Sequence, residues 1–582
     1  MRFPIRGCRN SARRLAVSLL ALALAVPIAW AAPPEDSPTG APLRLVPERA
    51  TPAQPAAAAP DISASIRATP LGPLDQSWAG ALPKDEPALP AEMWQGTPRA
   101  TVRALLPLLG SSESPGIRAL ARRLLLSGAT APAGDDPADG PSLVLLRAEA
   151  LARLGAIAGA RQVLDAAPEA GRTEAALRLR IELAFAGSDV TDGCERVAAG
   201  LADHRNVWWD EANIACQLLA GATDKASLAL DLLHDSGAPA DPTFDALVAA
   251  ASGQAAVLPP GAALSPLRAT LWAVGKRPLP DAAIARADAA TLAAFAGGDG
   301  APVANRLAAA ERAAALGAWV PERLAELYGK AGGSDAERAA ALANAKAGDT
   351  ATGRAMLFAL AQNGGDAGPR IQALSRFLDA ARRHDFYFVA ARLAAPLILA
   401  IGPGDAAKSA APQFIRALIA AGRPQDIAPF LPLADAGDIG PLAAIVHLLA
   451  SGHARQDDRT MGEALAALTL RPSAATPRHI GWFLTLATAF GGPLPAPDLA
   501  AQIAPGHAAT MPSAALWLDQ QQAQAGHRVG ETVLTSLVLA VQDGRMTDEP
   551  LLLRRAVAGL RAVGLDPEAS GLALEAAIAG GL

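Results

Sequence analysis

The chain has 582 residues, of which 51% are apolar and only 4% aromatic, and it carries a formal charge of −5. The apolar share supports a large core, and much of it is alanine, which has the best helix propensity and lets helices approach closely. Strand-like runs of Val, Ile, Thr and aromatics are scarce, and arginines alternate with acids along the chain, so the composition excludes a sheet-built fold and the concentrated basic face that nucleic-acid binding needs.

The first elements in chain order belong to an export signal. Arg2, Arg6, Arg9, Arg13 and Arg14 form a positive n-region, Leu15 to Ile28 an apolar h-region, and Ala29-Trp30-Ala31 a cleavage site. A signal peptide over 1–31 implies a periplasmic or secreted protein. The alternative of an uncleaved anchor is opposed by Pro27 and by a run short of the ~20 residues a span needs. No later stretch is apolar enough to cross a membrane, and Cys8 precedes the apolar run, which argues against lipidation. The leader holds five arginines and no acid, so its removal takes the charge from −5 to −10. Residues 32–95 are rich in Pro and Ala and are expected to form a flexible tether, with Ile62 to Ile66 and Leu71 to Trp78 able to dock on the body.

Short amphipathic helices follow. In Leu143 to Leu154, the residues Leu143, Leu146, Ala150 and Leu154 recur at helical spacing while Arg147, Glu149 and Arg153 take other faces. In Thr173 to Ala186, Leu177, Ile181 and Ala184 form the stripe, and Arg178 with Glu182 is expected to pair on the solvated side. Neither helix is long enough to be stable alone, so each must be held by neighbours. Helices are expected to end at Gly155, Gly187, Gly221 and Gly253, at intervals of 32, 34 and 32 residues. That is close to the period of tetratricopeptide helix pairs, although regular glycines also arise by chance in such a chain. Ala160, Ala226 and Ala569, each five positions after a terminal glycine, supply small residues for close packing. The expected fold is all-α, an α-solenoid of antiparallel, tetratricopeptide-like helix pairs over 96–258. A degenerate helical-repeat region over 259–582 follows a soft boundary near Pro259. Its helices are expected at Asn305 to Leu316, Arg370 to Arg383, Pro412 to Ala421, Pro441 to Leu449, Met461 to Leu470 and Pro550 to Val563.

Cys194 and Cys216 are the only cysteines after the leader, and an even pair in an exported chain is a disulfide candidate. Helices over about 191–203 and 207–220 would form a hairpin centred at residue 205, which sets the two thiols level. A bond there contributes about 3 kcal/mol in the chain-entropy model; the alternative is two buried free thiols.

No catalytic signature, cofactor motif or metal-ligand spacing stands out. The eight histidines are dispersed. Gly402 to Ser409 resembles a phosphate-binding loop, but Ala407 replaces the glycine before Lys408 and no strand precedes it, so it is expected to connect helices. Two aromatic clusters are candidate partner contacts: Trp208 and Trp209, and Arg382 and Arg383 with Phe386 and Tyr387. The alternative is that these rings pack between helices where alanine leaves space.

Trp94 followed by the Arg99 to Leu109 helix, the run Ile117 to Leu126, the paired cysteines, and the ending from Gly530-Glu531-Thr532-Val533-Leu534 through Gly564 to Leu572–Leu582 carry a resemblance. Over most of its length the chain resembles uncharacterised exported, alanine-rich α-helical repeat proteins of alphaproteobacteria. The resemblance implies compartment and architecture and transfers no catalytic residue. The expected function is a non-enzymatic scaffold for protein–protein interaction in the cell envelope. The runner-up is a non-catalytic peptidoglycan- or polysaccharide-associated factor, since some lytic transglycosylases carry an alanine-rich superhelix. Their catalytic Glu-Ser sits in a separate lysozyme-like domain, whereas Glu113-Ser114 here stands alone.

Overall fold

The computed structural model of the chain describes residues 75–168, 172–451, 458–470, 475–492, 512–542 and 544–582. The leader, Ile62 to Ile66 and most of the 32–95 segment lie outside the described residues. Among those described there are twenty-six α-helices and one two-stranded hairpin, in which Val541–Gln542 pairs antiparallel with Arg545–Met546. Consecutive helices pack as pairs, among them Leu143–Arg153 with Ile157–Ala166, Glu174–Ala186 with Val190–Gly200, and Pro550–Ala562 with Asp566–Ala579. No described helix is long and apolar enough to cross a membrane.

The local rules hold where side chains act within one turn. Ser142 caps Leu143–Arg153 by accepting from the Leu145 amide, and Leu143, Leu146, Ala150 and Leu154 are all buried. Ala160, Ala226 and Ala569 are completely buried, which lets their helices approach closely. Gly155, Gly221, Gly253 and Gly564 all adopt positive φ. Gly187 does not: its φ is −78°, and the left-handed position passes to Ser188 at φ 65°. The later helices fall at 303–315, 367–383, 411–420, 436–450, 458–470 and 550–562, so the fourth begins five residues before the expected Pro441.

Where long-range packing decides, two expectations are corrected. Arg147 lies off the apolar stripe, as expected, yet is only 1% exposed. Its guanidinium donates to the carbonyls of Leu125, Ser77 and Ala79 and lies 4.7 Å from the Trp78 ring centroid, because residues 75–95 cover that side of the helix. Trp78, Leu89, Met93 and Trp94 are buried, so this part of the expected tether is docked on the body. Glu182 does not pair with Arg178. Arg178 bonds Glu174 and Asn206, while Glu182 turns inward and accepts from the Leu267 amide at 2.9 Å, at the start of Pro266–Val274. A carboxylate there meets the positive end of a helix.

Helices on either side of Pro259 share one core, since Pro266–Val274 packs on Glu174–Ala186, Val207–Leu219 and Ala289–Gly297. Residues far apart in sequence also meet. A Cβ on Gly155 would lie 2.5 Å from both Leu316 O and Ala318 N, so glycine there serves the turn and the approach of a second turn. Helix Pro115–Leu126 packs on Val529–Ala540 and Asp566–Ala579, bringing the first helices against the last. In a solenoid each repeat touches only its neighbours; here the run of helix pairs returns to its start.

Candidate functional site

The contact between early and late helices is held by one buried carboxylate. Ser114 caps Pro115–Leu126 and also donates to Glu575, whose other oxygen accepts from the Gly116 amide at 2.8 Å. Burial pushes the Glu575 carboxyl up to about 7, against the pull of Ser114, Gly116 and the nearby Arg118. Arg118 is itself buried, which lowers it to about 10, and it donates to the carbonyls of Ser112 and Ala315 at 2.7 and 2.6 Å. Arg123 pairs with Glu568 one turn further along.

On this junction opens a cleft of about 720 Å³ to which distant stretches contribute. Glu113 comes from the loop before Pro115–Leu126, Arg312 from the last turn of Val303–Ala315, Asp385 from the turn after Ala367–Arg383, and Tyr387 from the start of helix Tyr387–Ile401. Arg478 comes from Thr476–Ala489 and Arg545 from the β-hairpin. Glu113 pairs with Arg312, Asp385 with Arg545, and Arg478 with Asp548 at 2.7 Å. Burial raises the Glu113 carboxyl, with Arg312 opposing the shift. The Glu113 amide donates to Gly544 O at 3.3 Å, which ties the hairpin to the early loop. Neither residue of the Glu113-Ser114 pair is therefore free: one holds an arginine and the other a buried carboxyl.

Arg312, Asp385 and Arg545 also border a second cleft of about 360 Å³ that contains Glu311, Arg354 and His384. Glu311 is buried and accepts from Tyr328 Oη at 2.7 Å and from Arg354 at 2.5 to 3.2 Å. Desolvation raises the Glu311 carboxyl and holds the Tyr328 hydroxyl well above its usual value. With its ion partner and hydrogen bonds in place, this cluster ties three helices together.

The second aromatic cluster divides between core and cleft. Phe386 is 2% exposed and packs edge-on against Phe377 at 6.2 Å, so it belongs to the core. Arg383 is exposed and pairs with Asp349 at 3.4 Å. Arg382 and Tyr387 line the large cleft, with the Arg382 guanidinium 4.6 Å from the ring centroid. Asp385 makes this possible by taking the left-handed conformation, φ 58°, between the two helices.

The first cluster lies elsewhere. Trp209 is 0% exposed, stacks on His204 at 5.0 Å, and donates from Nε1 to Glu174 at 3.1 Å. Trp208 is half-buried beneath Arg178, 4.9 Å from its ring. A Cβ on Gly200 would lie 2.3 Å from the Trp209 ring, so the preceding helix must carry glycine there. Cys194 and Cys216 join the same two helices through a disulfide, with S–S 2.07 Å and Cα–Cα 5.6 Å. These tryptophans do not line the cleft.

Among the described residues, no group of three His, Cys, Asp or Glu side chains is placed to hold a metal ion. Gly402 to Ser409 follows helix Tyr387–Ile401 and continues as a 3₁₀ turn over Asp405–Ala410, so it links helices. Sequence reasoning missed Glu113, Arg312, Arg478 and Arg545 as a group. Their ion pairs span 199, 70 and 160 residues, beyond the reach of any local pattern. No protein-family model, curated protein or solved structure matches this chain.

Proposed function

We propose that this chain is an exported helical-repeat scaffold that holds a protein partner in the cell envelope, with the large cleft as its binding surface. The observation that carries the reading is the convergence of early, middle and late helices on one mixed-charge cleft of about 720 Å³. Surfaces made by stacked helix pairs of the tetratricopeptide type bind protein segments, and the glycine period of 32 to 34 residues supports that kinship. The disulfide between Cys194 and Cys216 fits an oxidising compartment, as does the leader pattern of residues 1–31. The scaffold reading is not a catalytic one: each carboxylate lining the cleft is engaged by an arginine.

Capture of the tagged chain from crosslinked cell envelopes tests this. A stoichiometric protein partner is the expected result. Sedimentation of the purified chain with murein, and no protein partner, would favour a peptidoglycan- or polysaccharide-associated factor. The three arginine–carboxylate pairs, which offer donors and acceptors to sugar hydroxyls, are the feature that keeps that second reading in view.

A further inference from the structure

Three of the four arginines that line the large cleft are neutralised: Arg312 by Glu113, Arg545 by Asp385 and Arg478 by Asp548. The fourth, Arg382, makes no ion pair among the described residues and is an exposed residue. Beside it stands a buried polar group. Tyr387 lines the same cleft, and its hydroxyl, buried beside Arg382, finds no acceptor among the described residues, since an arginine can only donate. Burial pushes this hydroxyl above its usual range, with Arg382 and Arg416 pulling the other way, so it stays an O–H donor at neutral pH. An arginine with no carboxylate in direct contact, Asp379 acting on it only at longer range, stands beside a hydroxyl with no acceptor; an anionic oxygen would satisfy both, and charge-assisted hydrogen bonds are the strong ones.

The surroundings narrow the ligand. The cleft holds a ligand of a few residues rather than a folded domain. Its wall includes the β-hairpin residues Gln542, Arg545 and Met546. A two-stranded ribbon leaves outer strand edges unpaired, and extended peptides add to such edges. We infer that the cleft binds the free carboxyl terminus of an extended peptide segment, with Arg382 as its ion partner and Tyr387 as its hydrogen-bond donor. This rests on the scaffold reading and names the part of the partner that the scaffold grips.

The test uses the purified full chain and two pools of N-acetylated random pentapeptides, one ending in free carboxylates and one amidated. Retained peptides are identified by mass spectrometry and their affinities measured by fluorescence anisotropy. Retention of the free-carboxylate pool alone is expected. Arg382→Gln and Tyr387→Phe should each weaken the retained peptides about tenfold or more, with unchanged far-ultraviolet circular dichroism. Equal retention of the amidated pool, no retention of either, or affinities unmoved in both variants would overturn the assignment. So would displacement of the peptides by inorganic phosphate or by an oligogalacturonate. A stoichiometric partner captured equally by both variants would leave the scaffold standing and remove this site from it.

Discussion

The hairpin around Trp209 and the cleft around Tyr387 both begin as a short aromatic cluster between two helices, yet they end in opposite roles. Around Trp209 the named partners lie within 35 residues. His204, Glu174 and Gly200 surround Trp209, and the disulfide spans 22 residues. The rings pack on these neighbours, and neither tryptophan lines the large cleft. At the Tyr387 turn, Phe386 goes inward to Phe377 while Arg382 and Tyr387 face a space completed by Glu113, Arg312 and Arg545. The contrast teaches that an aromatic run supplied with small and polar neighbours closes on itself, whereas one at the meeting of distant segments keeps part of its surface open.

Substitutions can sharpen that contrast. Trp209→Ala should be the most damaging, costing about 3–5 kcal/mol as an emptied aromatic site, while Tyr387→Phe leaves the urea midpoint nearly unchanged. Equal loss at the two positions would erase the distinction. Replacing both cysteines by serine should remove about 3 kcal/mol, read as a lower thermal midpoint that reducing agent does not lower further.

The cleft side of the comparison has a pH signature. Glu575 is protonated in folded and unfolded chains below pH 4.5, its ordinary pKa. Between 4.5 and about 7 the unfolded chain ionises and the folded one does not, so stability falls as pH rises, and the full penalty is reached above about 7. The penalty is at most about 3 kcal/mol. Glu575→Gln should be more stable than the parent at pH 8.5 and not at pH 4, measured by urea unfolding; a pH-independent difference would show that this carboxyl does not titrate in the junction. Arg383→Ala should change stability by about 0.5 kcal/mol or less, because its pair with Asp349 is exposed.

Much of this fold was legible in the sequence because helix stripes and end signals act over a few residues. Pro550–Ala562 falls one residue short of its expected end, and Gly155, Gly221 and Gly253 take the left-handed turn anticipated for them. The level placement of Cys194 and Cys216 likewise needed only a hairpin centre. What escaped were contacts set by packing between distant segments. The burial of Arg147 could not be read because the segment that covers it, residues 75–95, had no helical pattern, and Glu182 looked paired because the helix it caps starts 84 residues later. In the site, Arg382 and Tyr387 were visible as a basic aromatic cluster, but the cleft that gives them a role depends on the early and late helices meeting.

That meeting is open to one direct measurement: spin labels at Arg123→Cys and Glu568→Cys, whose native side chains are ion-paired, with the inter-label distance read by pulsed electron paramagnetic resonance. A single narrow distance at the short end of the range is expected. A broad distribution extending to long distances, as in an open run of helix pairs whose ends never touch, would contradict it.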